Sequence, residues 1–90
     1  MDTPPSKIPA ETIEAEILRL LDEAAAGKTV GPADVARALR PGSQWHVLMP
    51  AVRRAAIKLA KAGRLTIYRK GKPADPDDFK GVYRLGRPAD

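Results

Sequence analysis

Residues 50–70 read PAVRRAAIKLAKAGRLTIYRK, and a change of period inside this stretch decides the fold. Placed at about 100° per residue, Leu48, Val52, Ala55, Ala56 and Leu59 fall on one side of a helix. Arg53, Arg54, Lys58 and Lys61 fall on the other. Gly63 closes that helix, because glycine accepts a positive φ without penalty. Arg64-Leu65-Thr66-Ile67-Tyr68-Arg69-Lys70 then alternates with period two and is rich in strand formers, so it reads as a strand.

Upstream, Gln44 to Met49 predicts a tight helical turn leading into this helix, with Pro50 in or near the first turn, where its missing N–H does least harm. Arg40-Pro41-Gly42-Ser43 is dense in breakers and ends an earlier helix. That earlier helix starts at Gly31-Pro32, with Val35, Ala36 and Leu39 as its inner face and Asp34 in the first turn, where the helix dipole favours an acid. Lys28-Thr29-Val30 is a stub of strand. A first helix, capped by Thr12, runs to about Ala26 with Ile13, Ile17, Leu20, Leu21 and Ala24 as one apolar stripe, and Gly27 ends it. Downstream, residues 71–81 are a long polar loop. Val82-Tyr83-Arg84-Leu85 is a second strand, pairing with the first as an antiparallel hairpin in which Tyr68 and Tyr83 face each other. Trp45 is expected to plug the core between helices.

The order is helix, strand stub, helix, helix, strand, loop, strand. The expected fold class is α+β, mostly α: three helices closed on one side by a C-terminal two-stranded hairpin. Residues 1–10 read as a flexible arm, 11–86 as one domain and 87–90 as a frayed end. With 90 residues the chain holds one thin core and no deep cleft. The start at Met1 suits a complete product. There is no cysteine, which excludes disulfides and thiolate metal sites. With no apolar run near the length of a bilayer span and no signal peptide, the expected location is cytoplasmic.

The net charge of +5 is unevenly placed. Glu11, Glu14, Glu16, Asp22 and Glu23 lie in the first helix. Residues 35–74 hold ten cations and no acid. A basic middle attracts a polyanion, although a merely solvated basic surface has the same composition.

The element order resembles the winged helix-turn-helix superfamily, with residues 40–44 as the turn and Lys70-Gly71-Lys72 as the tip of the wing. The likeness covers about residues 11–85. More narrowly, Trp45-His46-Val47-Leu48-Met49-Pro50-Ala51-Val52-Arg53 and Lys70-Gly71-Lys72-Pro73-Ala74-Asp75-Pro76 are similar to segments of a family of small bacterial domains of unknown function. That narrower likeness carries no activity. The superfamily resemblance implies a third helix in the DNA major groove and a wing on the backbone or minor groove. Winged helices also bind proteins and RNA, so the resemblance alone leaves the partner open.

The expected nucleic-acid contacts are Ser43, Gln44, Arg53, Arg54, Lys58, Lys61, Arg64, Lys70 and Lys72. Arg53 and Arg54, in the N-terminal half of the helix, are placed nearest the bases, because arginine reads guanine edges bidentately. Lys58, Lys61 and Arg64 hold phosphate. The exposed face of this helix carries no acid of its own to pair with these cations. Ile57 packs under the hairpin or touches a partner. Asp75, Asp77 and Asp78 oppose a phosphate role for the wing and are expected to cap local turns. His46, the only histidine, has no ligand set around it. No nucleophile stands beside a base and no phosphate loop is present, so no enzyme activity, cofactor or metal is expected. The leading expectation is a duplex-DNA-binding module of the kind that serves as a small transcriptional regulator, with a homodimer needed to read two half-sites. The alternative is a protein-interaction module that docks an acidic partner.

Overall fold

A computed structural model describes residues 8–25 and 27–88. Three helices, α1 (Ala10–Glu23), α2 (Pro32–Leu39) and α3 (Met49–Lys61), precede three short strands, β1 (Thr66–Arg69), β2 (Lys72–Pro73) and β3 (Arg84–Gly86). The fold is α+β and mostly α. A single 3₁₀ turn, Trp45–Leu48, leads directly into α3, where the tight turn was expected.

α1 buries Ile13, Ile17 and Leu21, one stripe at i, i+4, i+8. It starts two residues before Thr12. Pro9 is the N-cap, and its carbonyl accepts from the amides of Thr12 and Ile13, so Thr12 is not the cap. The helix ends at Glu23, short of the expected end near Ala26, because Ala24 turns extended at ψ 145°. Ala26 lies outside the described residues. The exposed carbonyls at this end are taken by Arg87, whose guanidinium donates to the oxygens of Leu21, Asp22 and Ala24 at 3.2, 3.1 and 2.9 Å. Arg87 was expected to begin a fraying tail. It instead satisfies helix-end acceptors that would otherwise need water. The expected arm lies mostly outside the described residues, as do positions 89 and 90.

α2 begins as its sequence dictates. Pro32 occupies the first turn, and the Asp34 carboxylate accepts from the Gly31 amide at 3.1 Å. α3 buries Val52, Ala55, Ala56 and Leu59. At its end Gly63 adopts φ +76°, and the Arg64 amide reaches back to the Leu59 carbonyl at 2.8 Å. This is the left-handed glycine stop that the change of period predicted.

The sheet departs from a two-stranded hairpin. Lys70 and Gly71, at φ +53° and +80°, form a tight turn. β2 therefore pairs with β1 as Tyr68↔Pro73 and Arg69↔Lys72. β3 pairs with the other edge of β1 as Ile67↔Leu85 and Tyr68↔Arg84, giving the order β2-β1-β3. Primed turns match the twist of paired strands, so chain reversal comes at once rather than after a long loop. Pro73 is tolerated because β2 is an edge strand. Val30 bridges Leu85 through amide–carbonyl bonds of 2.7 and 2.8 Å, so the strand stub closes the sheet.

Tyr68 and Tyr83 do not face each other. Tyr68 pairs with Arg84 on the outer face, while Tyr83, one residue earlier, points inward and meets Phe79 edge-on at 5.1 Å. A shift of one residue changes the face of a strand. The core also differs at Trp45, which is half-buried. Its ring stacks on His46 at 3.8 Å, with the Arg37 guanidinium 4.5 Å from its centroid. Leu48, three residues on and so on the same side of the 3₁₀ turn, fills the interior at 1% exposure. Among the described residues no helix is long and apolar enough to cross a membrane.

Candidate nucleic-acid interface

α3 lies between α1 on one flank and the loop over residues 74–83 on the other. This decides the fate of each cation. The exposed outer strip of the helix carries Pro50, Arg54, Lys58 and Lys61. Arg54 makes no hydrogen bond or ion pair among the described residues. Lys58 Nζ lies 3.1 Å from Glu14 Oε2 of α1, within ion-pair reach but without hydrogen-bond alignment, since that oxygen has no hydrogen-bond partner. Lys61 donates to Asp77 Oδ1 at 2.8 Å. That hydrogen bond, the Asp77 charge and more distant Asp75 raise the Lys61 ammonium above the usual lysine value. The expected absence of compensating acids thus holds only along α3. Glu14 and Asp77 reach the strip from other elements.

Arg53 does not reach outward to bases. It is half-buried, and Nη2 donates to the Phe79 carbonyl at 2.7 Å. Its guanidinium carbon sits 4.0 Å from the Phe79 ring centroid and 5.8 Å from that of Tyr83. Arg53 staples the loop to α3. The Tyr83 hydroxyl beneath it is buried without a partner, and burial raises its pKa against the opposing pull of the Arg53 charge. Arg53→Ala is expected to lose about 2–3 kcal/mol of stability, because a charged hydrogen bond and a cation–π contact go together. Urea denaturation measures the loss.

The remaining expected contacts fall into separate places. Ser43 and Gln44 are exposed in the turn before the 3₁₀ segment, where the Gln44 carbonyl accepts from the Val47 amide at 3.3 Å. Arg64 is exposed just past α3, beside Arg87 and the end of α1. Lys70 and Lys72 are exposed at the hairpin tip. Ile57 is half-buried against the core, which favours packing over partner contact. Asp75 does cap its turn, its side chain accepting from the Asp77 amide at 2.9 Å, whereas Asp77 itself goes to Lys61. Among the described residues no three His, Cys, Asp or Glu side chains group as metal ligands do.

Two surface features are marked in the periodicity at a single residue. An apolar groove of about 600 Å³ runs between the start of α2, Met49 and residues 81–84, and Val82 beside it is 82% exposed. A second groove of about 600 Å³ lies against the outer face of the sheet and carries Lys28, Arg84 and Arg87. Outward alternation along β3 marks Arg84. Nothing local marks Lys28 or Arg87.

The fold and its surfaces define a small three-helix α+β domain whose third helix presents a short cationic strip. The chain belongs to the family described as "Protein of unknown function (DUF3253)", which matches residues 10–88. No curated protein matches it.

Proposed function

We propose that the chain is a winged helix-turn-helix domain that binds duplex DNA, with the outer strip of α3 in the major groove and the β1–β2 hairpin as the wing. The observation that carries this reading is the row of Arg54, Lys58 and Lys61 along the exposed face of a helix preceded by α2 and a tight turn. The bridge of Val30 to Leu85 and the pairing of β1 with β3 complete an order of elements that suits this class. Asp77 does not oppose it strongly, since an exposed ion pair contributes about 0–1 kcal/mol and exchanges readily for phosphate; Glu14 is mostly buried and holds back Lys58 more than Asp77 holds back Lys61. Base reading falls to Arg54 and Gln44, because Arg53 is held inside. A domain with so few base contacts gains specificity as a homodimer on two half-sites. On this reading the domain is not an enzyme and acts in the cytoplasm as a regulator.

Fluorescence anisotropy with a labelled random duplex tests the reading. Three phosphate contacts give a slope of about −2.7 in log affinity against log salt, or roughly 40-fold weakening from 50 to 200 mM. Participation of Lys70 and Lys72 steepens the slope to about −4.5. No binding at the lower salt overturns the reading.

A second reading rests on the apolar groove. Pro32, Ala33, Met49, Val82 and Tyr83 line it, with Arg37, Arg84 and one acid, Asp34, beside them; the Asp34 carboxylate is engaged by the Gly31 amide. That pattern suits an acidic protein segment with one apolar anchor, and it moves the anchor point from Ile57 to Val82. On this reading Val82→Asp abolishes a stoichiometric, nuclease-resistant complex while leaving duplex affinity unchanged.

A further inference from the structure

The groove against the outer face of the sheet differs in its electrostatics from the strip on α3. Gly27, Lys28, Thr29, Tyr68, Arg84 and Arg87 are its principal lining, and no acid is among the residues that line it. On α3, Lys58 and Lys61 each sit beside a carboxylate. Here none of the three cations forms an ion pair among the described residues.

Arg84 and Arg87 are nevertheless held in place, and by neutral groups. Arg84 donates from Nε to Thr29 Oγ1 at 2.9 Å and from Nη2 to the Thr29 carbonyl at 3.0 Å. Arg87 donates to three carbonyls at the end of α1. Carbonyl and hydroxyl acceptors orient a guanidinium without cancelling its charge. Each guanidinium has five N–H donors, so both keep donors in reserve. Thr29 Oγ1, having accepted from Arg84, keeps its own proton to donate. Helix capping and loop tying account for the positions of the two arginines. They do not account for Lys28, for the lack of any acid, or for the open volume.

Tyr68 adds an aromatic wall. Its ring crosses Gly86 so closely that a Cβ there would lie 2.6 Å from Cε2, which fixes one side of the ring and explains the glycine. The groove volume suits a ligand of nucleotide size. Preset cations lower the ordering cost of binding an anion, and an aromatic side chain contributes about 1–3 kcal/mol by stacking on a base.

We propose that this groove is a nucleotide site, in which Lys28, Thr29, Arg84 and Arg87 take the phosphate and Tyr68 takes the base. The site is separate from the α3 strip and shares only Gly71 with the hairpin turn, so AMP binding is tested apart from duplex binding by α3.

Amide NMR shifts of the full chain, titrated with AMP, inorganic phosphate and a short duplex at 150 mM salt, test the assignment. AMP is expected to move the signals of Lys28, Thr29, Tyr68, Arg84 and Gly86, to leave those of Arg54, Lys58 and Lys61 in place, and to bind at least tenfold tighter than phosphate. Lys28→Glu, at an exposed side chain that makes no hydrogen bond or ion pair among the described residues, is expected to weaken AMP at least tenfold without lowering Tm. Three results overturn the proposal: no saturable shift with AMP, shifts shared equally with α3, or phosphate binding as tightly as AMP.

Discussion

Leu85→Ala is expected to remove about 3–5 kcal/mol of folding stability, at the upper end of the range for a leucine truncated to alanine in a core. Leu85 has no exposed surface. It pairs with Ile67 across the sheet, and its backbone bridges Val30. A cavity there opens where the sheet meets the helices, and the short strands around it cannot close in without breaking their pairing. A domain of this size has roughly 5–13 kcal/mol to lose. At about 4–8 °C per kcal/mol, the midpoint falls by roughly 12–40 °C. Thermal denaturation followed by circular dichroism measures it. A fall under about 8 °C would mean that Leu85 does not hold the sheet to the helices.

The second large effect concerns binding. Arg54→Glu is expected to leave the fold intact and to weaken duplex affinity by roughly tenfold or more near 100 mM salt, since each phosphate contact contributes a factor of about eight there and a reversed charge also repels. Arg54 is the informative position because it has no partner to disturb among the described residues. Lys58→Glu would set a second carboxylate against Glu14, whose side chain is only 17% exposed, and would confuse unfolding with lost binding. Asp77→Asn is the companion variant. It frees Lys61 and is expected to raise affinity a few-fold at the same salt. Anisotropy reads both, with circular dichroism as the check on folding. A folded Arg54→Glu protein that binds as before would exclude α3 as the reading element.

These two positions also show what could be read from the residues alone. Gly31-Pro32 with Asp34, Gly63 with its positive φ, and the alternation after it are local signals. Their physics is settled within four or five residues, so the element order was legible. The buried side of α3 was legible for the same reason. Its charged side was not. Arg53 finds its acceptor 26 residues away at Phe79, and Lys61 finds Asp77 16 residues away. No periodicity encodes such pairs, because only the folded chain brings them together. Lys70-Gly71-Lys72 was placed at the tip of the wing, but the tightness of the turn and the strand that follows it at once were hidden differently. Lysine is an uncommon occupant of a positive φ, so the reversal did not stand out against the glycine and prolines after it. The groove behind the sheet escaped because its cations come from two segments more than 50 residues apart, Lys28 from one and Arg84 and Arg87 from the other.

The contacts made by residues 84–87 have a consequence for synthesis. Val30 waits for Leu85, Thr29 for Arg84, and the end of α1 for Arg87, with up to 66 residues between partners. On a ribosome adding about 5–20 residues per second, the end of α1 waits for Arg87 for roughly 3–13 s. Ile67 and the inner faces of the helices stay uncovered for part of that interval. Nascent chains stalled before residue 84 should therefore be open to protease and bound by chaperones, while chains stalled after residue 87 has cleared the exit tunnel should resist both.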